Sequence, residues 1–193
     1  MLAQTIAHFV EYVIPAATDY RNAELALSAA IESNNQDQIE GAKNSVLRQA
    51  ANVSVAIDGL TDRAALELAL SKTQIRAALP PLCTYLDGGM RQGAFERVGG
   101  VANAYKHAML TDPRHPITSM ADVITVALGY GLDGYGVGKM GGMEVIVTQT
   151  NGTRFKFLGD VPAVLRGWAA YIIAQGGILP AGLAFGSIEI TGP

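Results

Sequence analysis

The chain has 193 residues, 49% of them hydrophobic and only 16% charged, and a net charge of −3. That balance excludes disorder and supplies enough apolar material for one domain with a substantial core. Fourteen basic against seventeen acidic residues exclude unselective attraction to a phosphate backbone, leaving room only for a local basic patch. A mean hydropathy of +0.22 with so little charge also points to apolar surface covered by a partner, expected to be a second copy in a homodimer or other homo-oligomer. Cys83 is the only cysteine, so no intrachain disulfide can form and a reducing, cytoplasmic setting is expected. The opening MLAQTIAHFVEYVI carries His8 and Glu11 and no basic flank. It reads as an amphipathic helix and not as a signal peptide. No apolar run approaches the roughly 20 residues of a membrane helix, so no membrane partner is expected.

Glycine divides the chain. Gly41 and Gly59 are the only glycines before residue 88, and the other 20 follow. The first part is rich in helix formers. Residues 2–14 predict a first helix, ended or kinked at Pro15. A second is predicted from Asp19 to Ser33, stopping at Asn34-Asn35. Ile39, Ala42, Val46, Ala50, Val53 and Ile57 then recur at three- and four-residue steps, the stripe of a third helix, closed at Asp58-Gly59. A fourth runs from Asp62 to Leu79, before Pro80-Pro81. A fifth covers Arg91 to Leu110, with Gly99-Gly100 in its middle. Two adjacent glycines there cost about 2 kcal/mol relative to alanines, and close helix–helix packing is the plain reason for them.

The second part is built of short pieces. Ala121–Leu128 predicts a strand, and Met143–Gln149 and Arg154–Leu158 predict a hairpin about Asn151-Gly152. A type I′ turn there opposes Thr148 to Phe155 and Ile146 to Phe157. Asp160 is expected to cap a last helix with Pro162 in its first turn, and one short strand is expected around Ser187–Ile190.

The tract GYGLDGYGVGKMGG, residues 129–142, contains a literal GxGxxG after a strand. A dinucleotide site needs a helix opening within that motif. Here more glycines and another strand follow, so the tract reads as a connecting loop. Tyr130, Tyr135 and Lys139 are its candidate binding residues. Cys83, His8, His107 and His115 lack metal-ligand spacing, so neither a metal nor a cofactor is expected.

The second constellation is Asn103 to His107, Asn-Ala-Tyr-Lys-His. Asn103 and His107 are four residues apart and share one helix face with Glu96 and Gly100. Val98, Val101, Ala102, Tyr105 and Met109 form the apolar face. One reading makes Asn103–His107 the solvent face of an amphipathic helix. The other rests on a resemblance. These residues resemble the HEPN superfamily of helical-bundle proteins, many of them metal-independent ribonucleases or toxin–antitoxin and defence components, whose signature is Arg-Asn-x-x-x-His. Here Ala102 holds the arginine's position, and Arg97 projects about 80° away from His107 on an ideal helix. The resemblance implies His107 as general acid or base, Asn103 as orienting group and Lys106 or Arg97 as the charge on phosphate. The missing arginine implies a catalytically inactive relative.

The expected fold is therefore α+β: a helical bundle of five or six helices with a small antiparallel hairpin element inserted before the last helix. It forms a single compact domain over 1–193, helical over 1–111 and β-hairpin plus returning helix over 117–193. The expected function is a non-catalytic binding or assembly module related to HEPN-like proteins. The candidate contact residues are Arg97, Tyr105, Tyr130, Tyr135 and Lys139. The alternative is a metal-independent endoribonuclease acting through His107, Asn103 and Lys106, and RNA enters as a partner only under that alternative.

Overall fold

A computed structural model describes residues 2–85, 87–107, 109–110, 115–127, 139 and 142–191. The fold is α+β, with helices first, a three-stranded antiparallel sheet next and one helix returning to the bundle. α1 (Ala3–His8) and α2 (Ile14–Glu32) form one rod joined by a π-helical turn at Phe9–Val13. The expected break at Pro15 is thus corrected. Pro15 offers no N–H, and its ring presses on the carbonyl four residues back. The wide turn before it, in which the Ile14 N–H reaches Phe9 O, makes room for that ring without stopping the helix.

α3 (Gln36–Leu68) runs straight through Asp58-Gly59, where the sequence predicts a stop. Gly59 is a contact instead. A methyl group on it would lie 3.3 Å from His8 Nε2 and 3.1 Å from Arg63 Nη1. The bare backbone lets α1 lie close, and His8 Nε2 sits 2.9 Å from Ala56 O. α3 ends at Ala69, held at a left-handed φ of 53° at a cost of roughly 1–2 kcal/mol. The predicted fourth helix is therefore split between α3 and α4 (Lys72–Ala78), which opens with a Ser71–Gln74 capping box. A 3₁₀ turn at Pro80–Leu82 follows. α5 covers only Ala94–Lys106, shorter at both ends than expected.

β1 (Val123–Ala127), β2 (Met143–Thr148) and β3 (Arg154–Lys156) pair antiparallel in that order. The β2–β3 register differs by one residue from the prediction. Thr148 faces Arg154, Val147 faces Phe155 and Ile146 faces Lys156. The turn explains the slip. Gly152 has a φ of 83°, and Asn151 is not among the positive-φ residues. The Gly152 N–H donates to Gln149 O and the Gln149 N–H to Thr153 O, both at 2.8 Å. This is a type I turn closed by a left-handed glycine, which uses three loop residues where type I′ uses two. One residue of shift turns every β3 side chain to the opposite face.

α6 (Phe157–Ala174) follows β3 directly, four residues earlier than a cap at Asp160 would allow. Pro162 lies inside it, past the first turn. By length and composition α6 is apolar enough to cross a membrane, which corrects the expectation of no such run. However, 67% of it is buried inside the fold, as suits a core helix. The tail forms a small hairpin of β4 (Ala184–Phe185) and β5 (Ile188–Glu189). Phe9, Tyr20, Leu27, Leu60, Val101, Val147 and Trp168 belong to one hydrophobic cluster reaching from α2 to α6 and the sheet.

Candidate functional site

Two sides of α5 have opposite characters. On the inner side, Arg97 is 1% exposed. Its Nε donates to Asp160 Oδ2 at 2.8 Å and its Nη2 to Asp160 Oδ1 at 2.7 Å, and its guanidinium lies 3.7 Å from the centre of the Phe155 ring. Arg91 bonds the same carboxylate through Nε and also donates to Lys156 O and to Tyr85 Oη. Asp160, expected as a helix cap, is instead the shared anion of two buried arginines. A second ionic group lies where α2 meets β2. Lys139 Nζ donates to Glu24 O, Ser28 Oγ and Met143 O and stands 2.7 Å from Glu24 Oε2 as an ion pair. Lys156 Nζ pairs with Glu144 Oε1 at 3.0 Å, and Glu24 Oε1 accepts from Tyr20 Oη and the Val145 N–H. Burial pushes the Glu144 carboxyl above its usual range despite Lys156, and burial first, then Glu24, pushes Tyr20 well up.

The outer side is open. A groove of about 180 Å³ is lined by Ile57, Asp58, Arg76, Phe95, Glu96, Gly99, Gly100, Asn103, His115 and Pro116. Because α3 continues past Gly59, it brings Asp58 beside α5. Asp58 Oδ1 accepts from Arg76 Nη2 at 3.1 Å and Oδ2 from Lys106 Nζ at 2.6 Å. These three side chains pin α3, α4 and the end of α5 together. Gly100 explains itself through packing, although against a loop and not a helix. A methyl group on it would lie 3.1 Å from Ile117 Cγ1 and 3.3 Å from Pro116 Cγ.

The structure distributes the predicted residues unevenly. Asn103 lines the groove. His107 does not share a helix face with it. His107 is the C-cap, with extended φ and ψ of −128° and 135°, and only its N–H stays on the helix, donating to Asn103 O at 2.9 Å. Its side chain is exposed. Lys106 is tied to Asp58. Arg97 is buried on Asp160, and Lys139 is bound within the α2–β2 ionic group, so neither presents its charge as a contact surface. Tyr105 is exposed, at 55%, although the sequence places it on the apolar face of α5. Tyr130 and Tyr135 lie outside the described residues. Sequence reasoning missed Asp58, Arg76 and His115. The signal for Asp58 was the apolar stripe of α3, which continues into Leu60 and Ala64, both buried. Among the described residues, no group of His, Cys, Asp or Glu is arranged to hold a metal ion. Cys83 is buried against α6, and burial pushes its thiol up to about 12, which keeps it a protonated core residue. No protein family, no curated protein and no solved structure matches the chain.

Proposed function

We propose that the protein is a non-catalytic binding and assembly module whose contact site is the groove containing Asn103. The fate of Arg97 carries this reading. A ribonuclease built on Asn103 and His107 needs both on one site, with a basic side chain to meet phosphate; Arg76 lines the groove with Asn103, but His107 does not. Arg97, the substitute for the arginine absent at Ala102, is committed to Asp160 and Phe155 at the far side of α5. Lys106 is paired with Asp58, and His107, the exposed C-cap of α5, does not line the groove. The same reading includes homo-oligomer formation, supported by large apolar side chains left in solvent, among them Leu66 at 76%, Met109 at 71% and Ile178 at 87% exposure.

The test incubates the purified chain and His107→Ala with mixed RNA in chelator, while light scattering on the same samples reads the mass. Intact RNA in both and a mass above one chain are expected. Cleavage by the natural chain that His107→Ala abolishes would overturn the reading in favour of a HEPN-type ribonuclease. A mass of one chain would remove the assembly part.

A further inference from the structure

No residue between Arg166 and Glu189 is charged. Part of that segment is core: Trp168, Ala169, Tyr171 and Ile172 of α6 and Phe185 of β4 are buried. The part joining α6 to β4 is not. Ile173 is 51% exposed and Ile178 87%, and Ala174, Gln175, Pro180 and Ala181 are exposed with them. A built turn holds them out. The Gly176 N–H donates to Ile173 O and the Gly177 N–H to Ile172 O, both at 2.9 Å, with Gly176 at a φ of 77°. This is a Schellman motif ending α6, in which an apolar residue after the left-handed glycine commonly packs on the last turn of the helix. Here that residue is Gly177, which has no room for a side chain. A methyl group on it would lie 2.6 Å from Ile172 Cγ2 and 3.2 Å from Ile6 Cδ1. The apolar side chain comes one place later, at Ile178, and meets solvent. Leu179 beyond it packs on the core. The turn is thus anchored on both sides of Ile178 and is ordered before any partner arrives.

We propose that this cap, the end of α6 and the turn through Ile178, docks on the same cap of a second copy about a two-fold axis. The docking rests on the protein being an assembly module, and the cap is the surface through which it assembles. Charge selects the partner. Lipid surfaces and nucleic acids are met by basic side chains, and a charged peptide by the opposite sign. The segment supplies neither. A two-fold contact sets a patch against itself, so any net charge in it repels its own copy. A charge-free patch avoids that repulsion, and depletion of charge around apolar contacts marks the core of an interface. Leu66 is also exposed, but Asp62 and Arg63 precede it by one turn of α3, which makes it the contrasting control. The cap is smaller than the roughly 20–30 residues a side of a standard interface, so the dimer is expected to dissociate on dilution.

The experiment follows the full chain by sedimentation velocity, diluted from about 100 µM to about 1 µM, beside Ile178→Asp, Ile173→Lys and Leu66→Asp. Circular dichroism melts show that each variant is folded. The natural chain is expected to pass from dimer to monomer on dilution. Ile178→Asp and Ile173→Lys should each raise the dissociation constant at least about tenfold, since a dimer carries the new charge twice and must desolvate both. A lysine suits the C-terminal turn of a helix, so pairing lost in Ile173→Lys is not helix lost. Leu66→Asp should leave the constant unchanged. Undiminished pairing by a folded Ile178→Asp overturns the surface, and so does equal weakening by Leu66→Asp. Cosedimentation with phosphatidylcholine vesicles that Ile178→Asp abolishes overturns the second copy in favour of a lipid. Each of these results leaves the assembly reading standing as long as the natural chain pairs. A natural chain that is still monomeric at about 100 µM removes the assembly reading and this surface together.

Discussion

The inner and outer sides of α5 use the same chemistry to different ends. Inside, Asp160 collects Arg91 and Arg97 with its carboxylate fully buried. Outside, Asp58 collects Arg76 and Lys106 with both cations more than a third exposed. Each is one carboxylate shared by two cations, yet only the first sits where water cannot replace a lost partner. A buried charge stripped of its counter-ion carries its full desolvation cost, whereas an exposed one is rehydrated. The lesson is that residue type and pairing do not distinguish a structural cluster from an available one. Depth does.

That contrast can be broken by substitution. The largest effect is expected for Asp160→Ala, which removes the carboxylate that two buried guanidiniums share and should cost about 3–5 kcal/mol in urea unfolding. A loss below about 1 kcal/mol, the range of exposed pairs, would erase the distinction between the two sides. An intermediate case sharpens it. The first helix has no side-chain cap of its own, and Glu67 of α3 takes its place, accepting from the Gln4 and Thr5 N–H groups and Thr5 Oγ1. Burial raises the Glu67 carboxyl, but these hydrogen bonds outweigh it and hold the group below its usual range. A depressed folded-state value gives stability that is present above the unfolded carboxylate range, near 4.5, and is lost as pH falls below it. Glu67→Ala should therefore cost about 1 kcal/mol at neutral pH and flatten the acid side of the stability curve. An acid limb as steep as the natural chain's would refute this role. The smallest effect belongs to Asp58→Ala, within about 1 kcal/mol and reduced further by added salt. A loss matching Asp160→Ala would show that the groove's ionic cluster is as structural as the inner one.

Much of the fold was legible from local pattern. The apolar stripe of α3, the glycine-poor first part, the hairpin signal at Asn151-Gly152 and the returning Trp168 helix all follow from periodicity and turn chemistry, which need no knowledge of neighbours. The failures share one cause. Pro15 and Asp58-Gly59 carry breaking signals, and packing overrides them: a π turn takes up the proline ring, and the missing side chain of Gly59 seats His8. The hairpin was found but misregistered, because Asn-Gly suits either a two-residue type I′ loop or a three-residue loop with a left-handed glycine. Both leave the dipeptide in the turn, and only the strand's two buried faces select between them.

The candidate site was half legible. Asn103, Glu96 and Gly100 fall on one stripe of α5, and that stripe does line the groove. The sequence by itself determined this face, because 3.6 residues per turn set it whatever packs nearby. It also determined that a chain so low in charge must bury much of its apolar content. Tertiary structure alone decided which charges are available. Arg97 goes to Asp160 63 positions away and Lys139 to Glu24 115 positions away, while Arg76 reaches Asp58 at the groove. A charge's worth depends on the dielectric around it and on the partner facing it, and both are properties of the assembled fold.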